Sequence, residues 1–192
     1  MTDGSVYKGP VGGSACAAVL YPLSVNESYS TESKTVGHKV TALKCEIEGI
    51  ALGLEVALQY YLQLKCSFNI AQYLYILCDC SEAIASVSKS NVYAIGATLH
   101  RRITSLCKQL CDLNVKCCLA WIPSHAGIIG NEMADDLAGR LAYDVFMKRV
   151  DAPTYVSLST AFNMLNVIAI DSWQHKWDYE PTGHFTRDTL FH

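Results

Sequence analysis

Four acidic side chains stand where a carboxylate needs a reason. Asp3 opens the run Asp3-Gly4-Ser5, and Glu46 lies in the first turns of a helix-periodic segment, beside its apolar face. Asp79 directly follows the apolar run Tyr73 to Cys78, and Asp135 lies beside the apolar stripe of a later helical segment. An isolated charge is expensive to remove from water, and none of the four has an obvious Lys or Arg partner nearby in sequence. If they converge, two unit charges about 4 Å apart repel by roughly 4 kcal/mol at an effective dielectric of about 20. Bound cations relieve that repulsion, and hard oxygen ligands favour Mg²⁺ or Mn²⁺ over zinc. A pair of such ions about 4 Å apart suits in-line attack on a phosphodiester: one activates water, the other stabilises the leaving 3′ oxygen.

Taken singly, each acid has an ordinary explanation. Asp-Gly is a common turn pair, a carboxylate near a helix start is favoured by the dipole, Asp79 is placed to cap a helix beginning near Ser81, and Asp135 has solvated Asp136 beside it. Glu48 is a rival to Glu46 for the same role. The case for a site therefore rests on joint placement.

The elements that must position these residues follow from periodicity. Ser14 to Leu23 reads as a buried strand, and Thr35 to Val40 as a third strand after a polar turn at Asn26 to Ser30. Ile47, Ile50, Ala51, Leu54, Leu58 and Tyr61 recur at helical spacing, which predicts a helix from Leu43 to about Leu64. Tyr73 to Cys78 has strand length, Ser81 to Val87 is a short helix, and Val92 to about Leu113 is a longer one. Val115 to Trp121 is the next strand, Ile122 to Gly130 a loop containing His125, and Asn131 opens a helix through Leu141. Strands first, then helices alternating with strands, predict a mixed sheet with helices packed on it, an α/β fold. Asp151 and Pro153 mark a boundary, giving a main domain over 1–148 and an extension over 149–192.

Composition narrows the class. Half of the 192 residues are apolar, enough for one domain with a core and a short appendage. The net charge of −3 gives no broad basic surface for phosphates, so any nucleic-acid contact must be local or metal-borne. His100, Arg101, Arg102 and Lys108 are candidates for a phosphate-facing patch, with Arg101 and Arg102 foremost; a solvated basic face explains them equally well. Nine cysteines without a Cys-x-x-Cys pair argue against a zinc knuckle and for a reducing compartment, cytoplasm or nucleus. No apolar run is long enough for a membrane span.

The run Trp121-Ile-Pro-Ser-His125-Ala-Gly127 followed by Gly130-Asn-Glu132-Met-Ala-Asp135-Asp-Leu137-Ala138 resembles the most diagnostic stretch of type 1 ribonuclease H domains in non-LTR retrotransposons. Thr2-Asp3-Gly4-Ser5, Cys45-Glu46-Ile47-Glu48-Gly49-Ile50 and Ile76-Leu-Cys78-Asp79-Cys80-Ser81-Glu82-Ala83-Ile84 are similar to the family's other motifs and fall in its order. The resemblance covers roughly Met1 to Asp144. It implies a ribonuclease H-like fold with a mixed five-stranded sheet flanked by helices. It implies an endonuclease that hydrolyses the RNA strand of RNA–DNA hybrids by a two-metal mechanism. It further implies that Asp3, Glu46, Asp79 and Asp135 hold two Mg²⁺ ions (Mn²⁺ substituting) and that His125 is the mobile loop histidine of proton transfer or product release. Glu46 is preferred to Glu48 because Gly49, Ile50, Gly53 and Leu54 then take the family's small and apolar positions. Asn131 and Glu132 read as cap and loop residues. The expected partners are the hybrid and a reverse transcriptase of a larger polyprotein, with no membrane. An inactive or weakly active remnant that still binds nucleic acid is the alternative, because the family's first strand begins several apolar residues before the first acid. That predicts a low melting temperature without metal. Cys80 departs from the family's usual hydroxyl or amide. The tail segments Trp173-Gln-His-Lys-Trp177-Asp178 and Thr182-Gly183-His184 are similar to the segment that often succeeds this domain in the same elements, with the two Trp at helical spacing.

Overall fold

The computed structural model describes residues 1–8, 12–22, 28–64, 72–153 and 158–179. Three strands come first: β1 (Thr2–Tyr7), β2 (Gly13–Leu20) and β3 (Ser30–Gly37), paired antiparallel in that order. Then come α1 (Ala42–Gln63), β4 (Gln72–Cys78), α2 (Ser81–Ser88), α3 (Val92–Ile95), α4 (Ala97–Asp112), β5 (Val115–Trp121), α5 (Ile129–Phe146) and α6 (Leu158–Tyr179). β4 and β5 pair in parallel, as a strand–helix–strand connection requires. The five expected strands are therefore present, as a three-stranded and a two-stranded sheet. β1 and β4 adjoin, and the Thr2 hydroxyl lies 3.5 Å from the Leu77 carbonyl oxygen, to which it donates.

β2 explains why its sequence is apolar without alternation. Its Cys16 and Ala18 pack against Leu52 and Val56 of α1, while Ala17 and Val19 pack against Ala134 and Ala138 of α5. A strand covered on both faces needs small apolar residues throughout. The larger core lies under α1: Ile47, Ile50, Leu54 and Leu58 meet Leu74, Ile76 and Cys78 of β4, Leu99, Ile103, Leu106 and Leu110 of α4, and Val115 of β5. In β4 the buried residues alternate with exposed Tyr73 and Tyr75.

Two expectations are corrected. The third strand runs from Ser30 to Gly37 rather than Thr35 to Val40. It is a polar edge strand, so its pairing with β2 leaves no apolar alternation to read. The helix expected from Val92 to Leu113 is divided at Gly96, whose φ of 85° ends α3 and allows α4 to start in a new direction. Leu23, Asn26 and Glu27 of the expected strand end and turn, and Thr182 to His184 of the tail motif, lie outside the described residues.

The chain forms two compact units, Met1–Tyr155 and Val156–His192. In the second, α6 carries Trp173 and Trp177 stacked at 5.5 Å, as their helical spacing predicts. No helix among the described residues is long and apolar enough to cross a membrane.

Candidate active site

Close approach of β1 to α1 builds the site. A Cβ on Gly4 would overlap the backbone of Cys45 and Glu46, and one on Gly49 would stand 2.8 Å from the Asp3 carbonyl oxygen. A Cβ on Gly53 would lie 2.7 Å from the Thr2 methyl group. These glycines let the helix lie directly on the strand, which brings Glu46 to Asp3. Thr41 caps α1, accepting from the Lys44 amide at 3.3 Å, and so fixes where its first turns begin.

Asp3 is only 6% exposed. Burial, then the negative charges of Asp79 and Asp135, push its carboxyl up from 3.8 to about 7; the Gly4 amide and His125 oppose the rise. Burial, then the charges of Asp3 and Asp79, push Glu46 up to about 8. The N-cap of α2 is Cys80 rather than Asp79. Instead Asp79 is held from two sides. The Trp121 indole donates to its backbone carbonyl at 2.8 Å, and the Asn131 amide donates to its carboxylate at 3.2 Å. Cys78 lies behind it, its thiol donating to Glu46 Oε2 at 3.7 Å. Ligand atoms of Glu46, Cys78 and Asp79 lie within 4.8 Å of one another, as do those of His125, Glu132 and Asp135. All four acids thus share one electrostatic neighbourhood centred on Asp3. Among the described residues, no Lys or Arg forms an ion pair with any of them.

His125 projects from the loop before α5 with its side chain 74% exposed, and its Nδ1 is 3.9 Å from Glu132 Oε2. Its φ of 51° is in the left-handed region, an uncommon backbone for a non-glycine residue at which His is enriched.

Several assignments separate here. Glu48 faces α4, with Arg102 Nη1 on its Oε2 at 2.6 Å, while Glu46 faces Asp3 and Asp79. Arg102 also binds both oxygens of Glu55 at 2.6 Å. Its guanidinium is held by two carboxylates, while Arg101 remains exposed. Asn131 is not a cap. Ile128 holds that position, and Asn131 is buried inside the first turn of α5. Nothing local in the sequence signals this, because the contact with Asp79 spans 52 residues of chain.

The donor set fits a divalent cation. It consists of hard carboxylate oxygens, partly desolvated and mutually repelling, and the buried Asn131 Oδ1 beside it has no hydrogen-bond partner among the described residues.

A family model for RNase H matches residues 1–143. The chain belongs to the RNase H family, and with it to the ribonuclease H hydrolases. Solved structures share the fold. The N-terminal RNase H domain of a Mycobacterium tuberculosis protein, solved as a fusion with maltose binding protein, aligns with TM-score 0.55 and 18% identity over 78% of this chain and 95% of its own. LC11-RNase H1, solved in complex with an RNA/DNA hybrid, aligns with TM-score 0.53 and 18% identity over 76% of this chain and 96% of its own. Prototype foamy virus protease-reverse transcriptase aligns with TM-score 0.50 and 19% identity over 74% of this chain and 20% of its own. No curated protein matches the chain significantly.

Proposed function

We propose that this chain hydrolyses the RNA strand of RNA–DNA hybrids, with Asp3, Glu46, Asp79 and Asp135 holding two Mg²⁺ ions. The observation that carries this reading is the partly buried acidic cluster around Asp3, in which burial and the neighbouring carboxylates raise Asp3 and Glu46. Such a cluster is stable with ionised carboxylates only when cations neutralise it. When bound, the ions would lower the pKa of the attacking water and stabilise the departing 3′ oxygen. The chain's own part is positional. Gly4 and Gly49 set the distance between the Asp3 and Glu46 backbones, Trp121 and Asn131 orient Asp79, and the exposed His125 is available to move a proton at the leaving or released group. Water adds across the phosphorus–O3′ bond, leaving a 3′ hydroxyl on one fragment and a 5′ phosphate on the other. RNA is told from DNA by its 2′ hydroxyls and groove shape, and Arg101 is the exposed cation retained as a phosphate contact.

The long match of Trp121 to Ala138 to the retroelement motif supports an origin in a non-LTR retrotransposon, where the domain would serve a reverse transcriptase. A similar fold occurs within prototype foamy virus protease-reverse transcriptase. The test is cleavage of an end-labelled hybrid by the purified chain, with and without Mg²⁺. RNA-strand cleavage only with metal, slowed by His125→Ala and nearly lost in Asp79→Asn, is the expected result. Equal cleavage of double-stranded DNA, or full activity in chelator, overturns the reading.

A further inference from the structure

At the end of β4 a thiol stands among the carboxylates. The buried side chains of this strand are Leu74, Ile76 and Cys78, all on the side of the main core. Cys78 is the last of them, and there the sheet meets the early turns of α1. Its sulfur lies 3.7 Å from Glu46 Oε2. The Cys80 amide donates to the same sulfur at 3.4 Å, a hydrogen bond that favours charge on it. Ligand atoms of Glu46, Cys78 and Asp79 all lie within 4.8 Å of one another.

The spacing suits a single ion. In a tetrahedral zinc site, with Zn–S about 2.3 Å and Zn–O about 2.0 Å, a sulfur and an oxygen ligand stand roughly 3.5 Å apart. The 3.7 Å between Cys78 Sγ and Glu46 Oε2 is close to that edge. A second, independent observation points to a cation here. Asn131 is 2% exposed and its Nδ2 donates to Asp79 Oδ2 at 3.2 Å, while its carbonyl oxygen has no partner among the described residues.

We propose that Cys78, Glu46 and Asp79 form a site for a thiophilic divalent cation, Zn²⁺, with the Cys78 sulfur as a ligand, an assignment that rests on the reading of Glu46 and Asp79 as metal ligands. Carboxylates alone favour Mg²⁺ or Mn²⁺; a thiolate favours zinc, which also binds a given donor set more tightly than Mn²⁺. On binding, the thiol proton leaves to solvent and a sulfur lone pair fills the bond to zinc, with nothing oxidised. The consequence is competition. A zinc ion held by Cys78 occupies Glu46 and Asp79 and denies them to the ions of hybrid cleavage.

The experiment takes the reduced full chain, stripped with chelator, and adds one equivalent of Zn²⁺. Zinc-edge X-ray absorption should show one sulfur at about 2.3 Å in a shell otherwise of oxygen or nitrogen. Calorimetric titration should show that zinc loading removes Mn²⁺ binding. Cys78→Ser should weaken Zn²⁺ binding and leave Mn²⁺ affinity unchanged. A shell with no sulfur overturns the proposal and leaves Cys78 a core thiol; two or more sulfurs overturn it by placing zinc on other cysteines. Mn²⁺ binding that persists beside bound zinc also overturns it. If the zinc-free chain binds no Mn²⁺ at all, the metal reading of the acids fails and takes this proposal with it. The absorption measurement uses the unaltered chain, so it decides the matter even if Cys78→Ser folds poorly.

Discussion

The Asn131 amide nitrogen stands 3.2 Å from the Asp79 carboxylate, while its carbonyl oxygen is buried without a partner among the described residues. A buried amide with one satisfied end is a positioning device with a polar atom in reserve. Asn131→Ala should therefore free Asp79 to rotate and weaken divalent-ion binding about 10–100-fold, the usual effect of removing a group that orients a metal ligand. Asn131→Asp should weaken it further, by setting a second carboxylate against Asp79. Calorimetric titration with Mn²⁺ checks both. Unchanged affinity in Asn131→Ala would mean that the side chain only fills space.

The acids make stability depend on pH in a direction that can be worked out. Asp3 and Glu46 have folded pKa values raised from 3.8 to about 7 and from 4.5 to about 8. The folded chain then binds more protons than the unfolded one between these values, so stability falls as pH rises. The contribution is fully present below about pH 4 and is lost through pH 7 to 8, on the order of a few kcal/mol for the coupled pair. In chelator, melting temperature should drop across this window, and millimolar Mg²⁺ should flatten the drop. Asp79→Asn removes a charge that raises both groups, so it should melt higher than the parent in chelator at about pH 8. A melting temperature that rises from pH 5 to 8 without metal would contradict the cluster.

How much of this is legible in the sequence depends on which signal a residue leaves in one dimension. The helix carrying Glu46 and the strand preceding Asp79 are readable because burial on one side imposes a period. The edge strand β3 is not, because an exposed polar edge imposes none. The break at Gly96 is hidden because a glycine in a periodic segment does not announce its φ. Within the site, the four acids are nameable from their motifs. The choice of Glu46 over Glu48 becomes physical only with Glu48 found against Arg102. The roles of Asn131 and Trp121 are contacts across 52 and 42 residues of chain, which no local pattern carries.

Arg102 and Arg101 are adjacent in sequence and opposite in consequence. Arg102 ties α4 to α1 through Glu48 and Glu55, with 24% of its side chain exposed. Arg102→Ala leaves two partly buried carboxylates without their cation and should destabilise the fold by about 2–3 kcal/mol. Arg101→Ala should alter stability by no more than about 0.5 kcal/mol and instead weaken hybrid binding, with a shallower dependence on salt. Denaturant melts and salt-dependent binding of the two variants separate the roles. Reversal of the pattern would return Arg102 to the substrate face.

The site's geometry depends on a side chain that is absent. At Gly49 an added Cβ would stand 2.8 Å from the Asp3 carbonyl oxygen, closer than a Cβ can approach backbone, and the atoms it would meet are all Asp3 backbone rather than a flexible side-chain end. Gly49 is helical, so in an open helix Gly49→Ala would stabilise by about 1 kcal/mol. Here α1 must move away from β1, and overpacking of this kind costs about 1–3 kcal/mol. The displacement also carries Glu46 away from Asp3, so metal affinity and hybrid cleavage should fall together with stability. The two effects are separable. If the loss is steric, excess Mn²⁺ should recover little activity, whereas a variant that merely folds poorly should regain it at low temperature. A Gly49→Ala chain that is more stable than its parent and binds Mn²⁺ equally well would show that the helix does not lie on the strand at Asp3.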